Sequence, residues 1–119
     1  MTAGKIAELL GAEIVCHDDL KDKDLKTACG SDMMSDVMAF YHDGGLLLTG
    51  LVNVQTIRTA SLLDIDAVCF VRGKIPNPEM LSLAQESGII VMKTAMPMFP
   101  ACGMLYQAGV KGNNQASEK

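Results

Sequence analysis

Three uninterrupted apolar runs organise the chain: Leu46-Leu47-Leu48, Ala67-Val68-Cys69-Phe70-Val71 and Ile89-Ile90-Val91-Met92. None alternates with polar residues. A strand buried on both faces reads this way, whereas a strand with one wet face alternates. Each run leads through a short loop into a segment of helical periodicity. The first passes Thr49-Gly50 and enters a helix near Asn53. The second passes Arg72-Gly73-Lys74 and enters one near Asn77-Pro78. The third passes Lys93-Thr94 and enters one near Pro97. Strand, loop and helix repeated three times predict parallel strands between helix layers, joined by right-handed crossovers. Sheets of this kind hold ligands beyond the carboxyl ends of their strands.

The flanking segments complete the picture. Thr2 caps a helix over residues 3–10 that Gly11 ends. Residues 13–16 form a first strand and 17–23 a charged turn. Residues 24–29 hold a second, less apolar strand suited to a sheet edge. Gly30-Ser31 then opens a helix to about Tyr41, with Ser31 or Asp32 as N-cap. Asp43-Gly44-Gly45 is a turn, and His42-Asp43 reads as a helix end. The helix over 53–63 gathers Val54, Ile57 and Leu63 on one side, with Ala60 or Ser61. The next gathers Met80, Leu83, Ala84 and Ser87. The last, over 97–108, turns Met98, Ala101, Cys102 and Leu105 inward and stops at Gly109, with Pro100 tolerated in its first turn. The expectation is one α/β domain over residues 1–110, a three-layer α/β/α sandwich with a mostly parallel sheet of about five strands. Residues 111–119 read as a flexible polar tail.

The helix near residues 31–41 has an unusually broad apolar face. Met33, Met34, Val37, Met38, Phe40 and Tyr41 spread over roughly 160° of its circumference. Either the N-terminal segment buries it, or Met33, Met34, Val37, Met38 and Tyr41 pack against a second subunit in a homodimer.

Charge sharpens the location of a site. The 119 residues carry a net charge of −4, which argues against general binding of nucleic acid or an anionic membrane. Acidic residues crowd the first third of the chain and are missing from 44–63, 67–78 and 87–117. Those windows contain all three strand-to-helix loops. Thr49, Gly50, Asn53, Arg72, Gly73, Lys74 and Thr94 are therefore the candidate ligand-binding residues, with Asn77 and Lys93 beside them. Cations, glycines and helix N-termini without carboxylates describe a site for a small anion such as phosphate or a nucleotide. The plain alternative is solvated charge and tight-turn glycine.

Other chemistry finds little footing. The four cysteines form no C-x-x-C pair, so no structural zinc site or other metal site is expected. Cys69 lies in an apolar strand and reads as a core residue. With no signal peptide, reduced thiols and a cytoplasmic protein follow. No apolar run approaches the ~20 residues that span a bilayer. Neither G-x-x-x-x-G-K-[ST] nor G-x-G-x-x-G occurs. Cys16-His17-Asp18-Asp19 reads as a polar turn rather than a metal or nucleophile cluster. Both histidines flank turns, so no Ser-His-Asp or Cys-His machinery can be assembled. No catalytic residue and no cofactor are expected; an enzymatic reading would rest on Cys29 or Thr94 alone.

Gly30-Ser31-Asp32-Met33-Met34-Ser35-Asp36-Val37, then Leu47-Leu48-Thr49-Gly50, then Val71-Arg72-Gly73-Lys74 resemble the DRTGG domain family from about Glu13 to Gly109. The resemblance implies an α/β/α sandwich related in fold to the N-terminal domain of HPr kinase, and a tendency to dimerise. Such domains are regulatory modules of phosphate acetyltransferases and CBS-containing pyrophosphatases. Short stand-alone members are encoded near iron-only hydrogenase or NADH-dehydrogenase-like subunits. The family's Asp-Arg pair aligns with Val52-Asn53 here, and its Thr-Gly-Gly with Arg72-Gly73-Lys74, so any anion would be held differently. Two expectations follow. The first is a non-catalytic, homodimeric regulatory module for a small anionic ligand, signalling to a metabolic-enzyme partner. The second is an accessory subunit of a redox complex with no small-molecule ligand.

Overall fold

The computed structural model describes residues 1–41 and 44–112, the Phe40 side chain excepted. The expected helix end at His42-Asp43 and residues 113–119 of the tail lie outside the described residues. The order is α1 (Ala3–Leu10), β1 (Glu13–Cys16), β2 (Thr27–Gly30), α2 (Met34–Phe40), β3 (Leu46–Thr49), α3 (Val54–Leu62), β4 (Ala67–Phe70), α4 (Pro78–Ser87), β5 (Ile90–Lys93), α5 (Met98–Gln107) and β6 (Lys111–Gly112). One sheet runs β1-β5-β4-β3-β2-β6. Every pairing is parallel except that of β1 with β5. The mostly parallel α/β/α sandwich is as the sequence predicts.

Successive residues of a strand face opposite sides, and this divides the core in two. Leu46, Leu48, Cys69 and Met92 face α1 and α5, meeting Ile6, Leu10 and Leu105. Leu47, Val68, Phe70 and Val91 face α2, α3 and α4, meeting Val37, Ile57 and Met80. All four residues of β3 and of β4 are buried, which accounts for their unbroken apolar runs. Each such aliphatic side chain contributes about 1.5–3 kcal/mol by leaving water. The layers follow from handedness: steps from β2 to β5 in one direction place α2, α3 and α4 on one face, and the return to β6 places α5 on the other.

The helix ends follow local chemistry. Thr2 Oγ1 accepts the Lys5 amide at 3.1 Å, and Gly11 closes α1 in the left-handed region at φ +59. Asn53 and Asn77 cap α3 and α4 through their side-chain oxygens. Pro100 lies in the first turn of α5, where its missing amide costs nothing.

Five features differ from the sequence reading. The sheet has six strands, because Lys111 and Gly112, placed at the start of the tail, pair with Thr27 and Ala28. β2 is accordingly not an outright edge, because Thr27 and Ala28 pair with β6 on that side. β1 is the antiparallel edge. Finally, α2 begins at Met34 rather than Ser31. Ser31 Oγ accepts the Met33 amide at 3.0 Å in a local turn, and Asp32 is used elsewhere. The broad apolar face of α2 is also divided. Val37 and Tyr41 are buried in the chain's own core, Met34 is half-buried, and Met33 and Met38 are exposed.

Candidate functional site

Parallel register brings the expected loops to one rim. Thr49 lies opposite Phe70, and Phe70 opposite Lys93, so the loops after β3, β4 and β5 leave the same sheet edge side by side. β4 continues into α4 on one face and β5 into α5 on the other. The gap between them is the topological switch point, where ligands of open α/β sheets bind.

Two backbone hydrogen bonds zip that gap. The Arg72 amide donates to the Met96 carbonyl and the Gly73 amide to the Thr94 carbonyl, each at 2.9 Å. Arg72 and Gly73 both occupy the left-handed region, at φ +60 and +72. For a non-glycine residue this stores about 1–3 kcal/mol of strain, and at Arg72 it accompanies a guanidinium laid over Gly50. A side-chain carbon at Gly50 would collide with that guanidinium.

The rim is not free of carboxylate. Asp32, from the loop after β2, accepts the Gly50 amide at 2.6 Å and the Thr49 hydroxyl at 3.2 Å through Oδ1. Its Oδ2 lies 3.7 Å from Arg72 Nη1. Lys93 Nζ lies 3.5 Å from Glu13 Oε1, a contact made possible by the antiparallel β1. Lys74 is exposed and has no ion-pair partner among the described residues.

The candidate residues therefore divide by role. Thr49 is buried, its hydroxyl held between Asp32 and the Leu51 amide. Thr94 is 4% exposed, and its hydroxyl donates to the Leu10 carbonyl at 2.7 Å, fastening α1 to the rim. Asn53 Oδ1 is taken by the Gln55 amide, and Asn77 Oδ1 by the Met80 amide. Gly73, Lys74, Lys93 and Thr94 line one hollow of about 260 Å³, shared with Gly11 at the end of α1, Glu13 at the start of β1, Ile75 and Ala95. Thr49, Gly50, Asn53 and Arg72 stand apart from it along the rim. The sequence missed Asp32 and Glu13 as members of this edge; no local signal marks a carboxylate that arrives from another strand.

The thiols are quiet. Burial pushes the Cys29 thiol up, with the Cys102 and Asp36 charges adding to it. A protonated thiol is a poor nucleophile. Burial also pushes Cys69 up to about 12. His17 Nε2 lies 3.1 Å from the Gln85 carbonyl, tying the polar turn after β1 to α4. Among the described residues, no group of three or more His, Cys, Asp or Glu could hold a metal ion. Among them, too, no helix is long and apolar enough to cross a membrane.

No known family profile matches the chain, and no curated protein matches it in sequence. Among solved structures it is similar to the CBS and DRTGG domains of the regulatory region of Clostridium perfringens pyrophosphatase, complexed with the activator diadenosine tetraphosphate. The TM-score is 0.72 at 20% identity, covering 90% of this chain and 46% of that one. The chain thus spans about half the length of that structure. The likeness establishes a shared fold.

Proposed function

We propose that the chain is a non-catalytic regulatory module, homodimeric and cytoplasmic, that binds a small phosphate-bearing ligand at the carboxyl edge of its sheet. The supporting observation is the hollow at the switch point. It offers Lys74 without an ion-pair partner among the described residues. It also offers Lys93, whose partner Glu13 is 70% exposed and 3.5 Å away. Exposed pairs of this kind are worth about 0–1 kcal/mol, so a phosphate could displace Glu13 at little cost. Gly73 and Thr94 shape the wall, and their backbone bond holds the two switch loops together. Arg72, with Thr49, Gly50 and Asn53, forms the neighbouring part of the rim. Its guanidinium has donors beyond the one facing Asp32. The structural neighbour was solved with a nucleotide activator, which agrees in ligand class.

Calorimetry with AMP, ADP, ATP, diadenosine tetraphosphate, acetyl phosphate and inorganic phosphate tests this reading. At least one should give heat at low salt, and Lys74→Ala should weaken it about tenfold, the loss of one charge-assisted contact. Silence from the whole panel, or full affinity in Lys74→Ala, rejects the site.

Exposed Met33 and Met38 favour a second reading, an accessory subunit of a hydrogenase- or NADH-dehydrogenase-like redox complex. Co-purification with such a complex, lost in Met38→Asp, together with silent calorimetry would carry it.

A further inference from the structure

We infer that the hollow takes a phosphate monoester whose alcohol part is apolar or aromatic, rather than phosphate alone, and that Ile75 is the residue that selects it. The inference rests on the proposed phosphate site and names the rest of its ligand.

Three observations converge. First, the lining of the hollow is of two kinds. Lys74 and Lys93 supply ammonium groups, whereas Ile75, Ala95, Gly11 and Gly73 supply no polar side chain. A bare phosphate is satisfied by the first set and gains nothing from the second, since an apolar wall cannot replace the water around an oxyanion. A ligand with an anionic head and an apolar body uses both.

Second, Ile75 is pinned in place yet uncovered. The Lys74 amide donates to the Val71 carbonyl at 3.2 Å, closing a tight turn over Arg72 and Gly73, whose own amides donate to the Met96 and Thr94 carbonyls. Beyond Ile75, Pro76 is buried, and Asn77 caps α4 by accepting the Met80 amide at 2.9 Å. Ile75 between them is 68% exposed. A single exposed apolar side chain is ordinary. This one lines the same hollow as two cations, on a backbone held at both ends. Its β-branched side chain also has little rotamer freedom to lose on contact. Such a contact surface is pre-organised, which lowers the entropic cost of binding.

Third, the hollow has room for more than an ion. At about 260 Å³ it exceeds the ~150 Å³ that encloses a benzene ring. Small residues keep it clear: side-chain carbons built at Gly11 and Gly73 would meet nothing within 4 Å. With the phosphate held by Lys74 and Lys93, a ring or branched alkyl group on the ester oxygen lies against Ile75, the chain neighbour of Lys74.

The test is calorimetry on the full chain at low salt and about pH 8, where phosphate and its monoesters are dianions and charge is the same for each probe. The probes are inorganic phosphate, glycerol phosphate, phenyl phosphate and AMP. Phenyl phosphate or AMP should bind about tenfold more tightly than inorganic phosphate, the effect of one half-covered aliphatic side chain. Glycerol phosphate, equal in charge but polar, should stay within about twofold of inorganic phosphate. Ile75→Ser should erase the preference without changing the affinity for inorganic phosphate. Ile75→Val should keep most of it, and Lys74→Ala should weaken all probes alike. Ile75 is exposed, so circular dichroism should show wild-type folding in both of its variants. The tighter of phenyl phosphate and AMP tells a small aryl ester from a nucleoside monophosphate, and either order supports the inference. Phenyl phosphate and AMP no tighter than inorganic phosphate, glycerol phosphate as tight as phenyl phosphate, or a preference that survives Ile75→Ser overturns the inference and leaves the phosphate site standing. Heat from none of the four overturns the inference, and the phosphate reading falls with it when ADP, ATP, diadenosine tetraphosphate and acetyl phosphate are silent as well.

Discussion

Asp32 Oδ1 accepts the backbone amide of Gly50 at 2.6 Å, joining the end of β2 to the end of β3. The same oxygen takes the hydroxyl of Thr49, a residue with no exposed surface. Asp32→Ala strands both donors. A buried donor left without a partner costs about 1–3 kcal/mol, so the urea midpoint should fall by a corresponding amount. Asp32→Asn keeps an acceptor oxygen and should lose about half as much or less. Equal losses for the two variants in urea titrations would contradict this account of the carboxylate.

Gly45 offers a second structural test. It sits at φ +84, and a side-chain carbon there would run into the Tyr41 hydroxyl and the Thr27 backbone carbonyl. Tyr41 cannot swing away freely, because its ring is buried and its hydroxyl lies 3.2 Å from Thr27 Oγ1. Gly45→Ala thus combines left-handed strain with overpacking, each about 1–3 kcal/mol. Thermal denaturation should show a large loss that Tyr41→Phe does not restore, since the Thr27 carbonyl remains. Restoration by Tyr41→Phe would locate the whole penalty in the phenol.

Much of this fold is legible from local signals. Unbroken apolar runs gave β3, β4 and β5, and Asn53, Asn77 and Gly11 marked helix ends, because strand burial and capping are decided within a few residues. What escaped reading depends on partners far along the chain. Asp32 resembles an N-cap, yet an amide 18 residues on claims its carboxylate. The acid-free windows measured charge along the sequence, whereas Asp32 and Glu13 reach the rim across the sheet. Glu13 does so because β1 is antiparallel, and periodicity is blind to strand direction. β6 spans two residues, too few for any pattern. The α2 face read as one stripe, but packing buried Val37 and Tyr41 and left Met33 and Met38 in solvent.

Thr94 separates a structural role from a binding one. Its hydroxyl donates to the Leu10 carbonyl and accepts the Met96 amide at 3.1 Å. Thr94→Val keeps the shape and strands both partners, so stability should fall by about 1–3 kcal/mol. Phosphate-ligand affinity of the folded variant should stay within about twofold of wild type, because the hydroxyl points to α1 and not into the hollow. Lys74→Ala should do the reverse, lowering affinity with unchanged stability. The pair is checked by measuring urea midpoints and calorimetric affinity on each variant; a Thr94→Val chain of normal stability and poor affinity would reverse the assignment.

Alkaline pH should weaken the fold through two buried acids. Burial raises the Cys69 thiol from 9.0 to about 12. It raises the Tyr41 phenol from 10.0 to about 12, although the hydrogen bond to Thr27 acts in the opposite direction. Both groups are neutral in the folded chain at pH 9–11, while the unfolded chain releases their protons there. The unfolded state therefore binds fewer protons, and stability falls as pH rises. The contribution is fully present below about pH 9 and is lost progressively toward about pH 12. Urea midpoints measured from pH 7 to 11 should be level at first and then decline. Cys69→Ala and Tyr41→Phe, each lower at pH 7 for lost packing or hydrogen bonding, should decline less steeply above pH 9. Slopes identical to wild type in both variants would assign the alkaline loss to other groups.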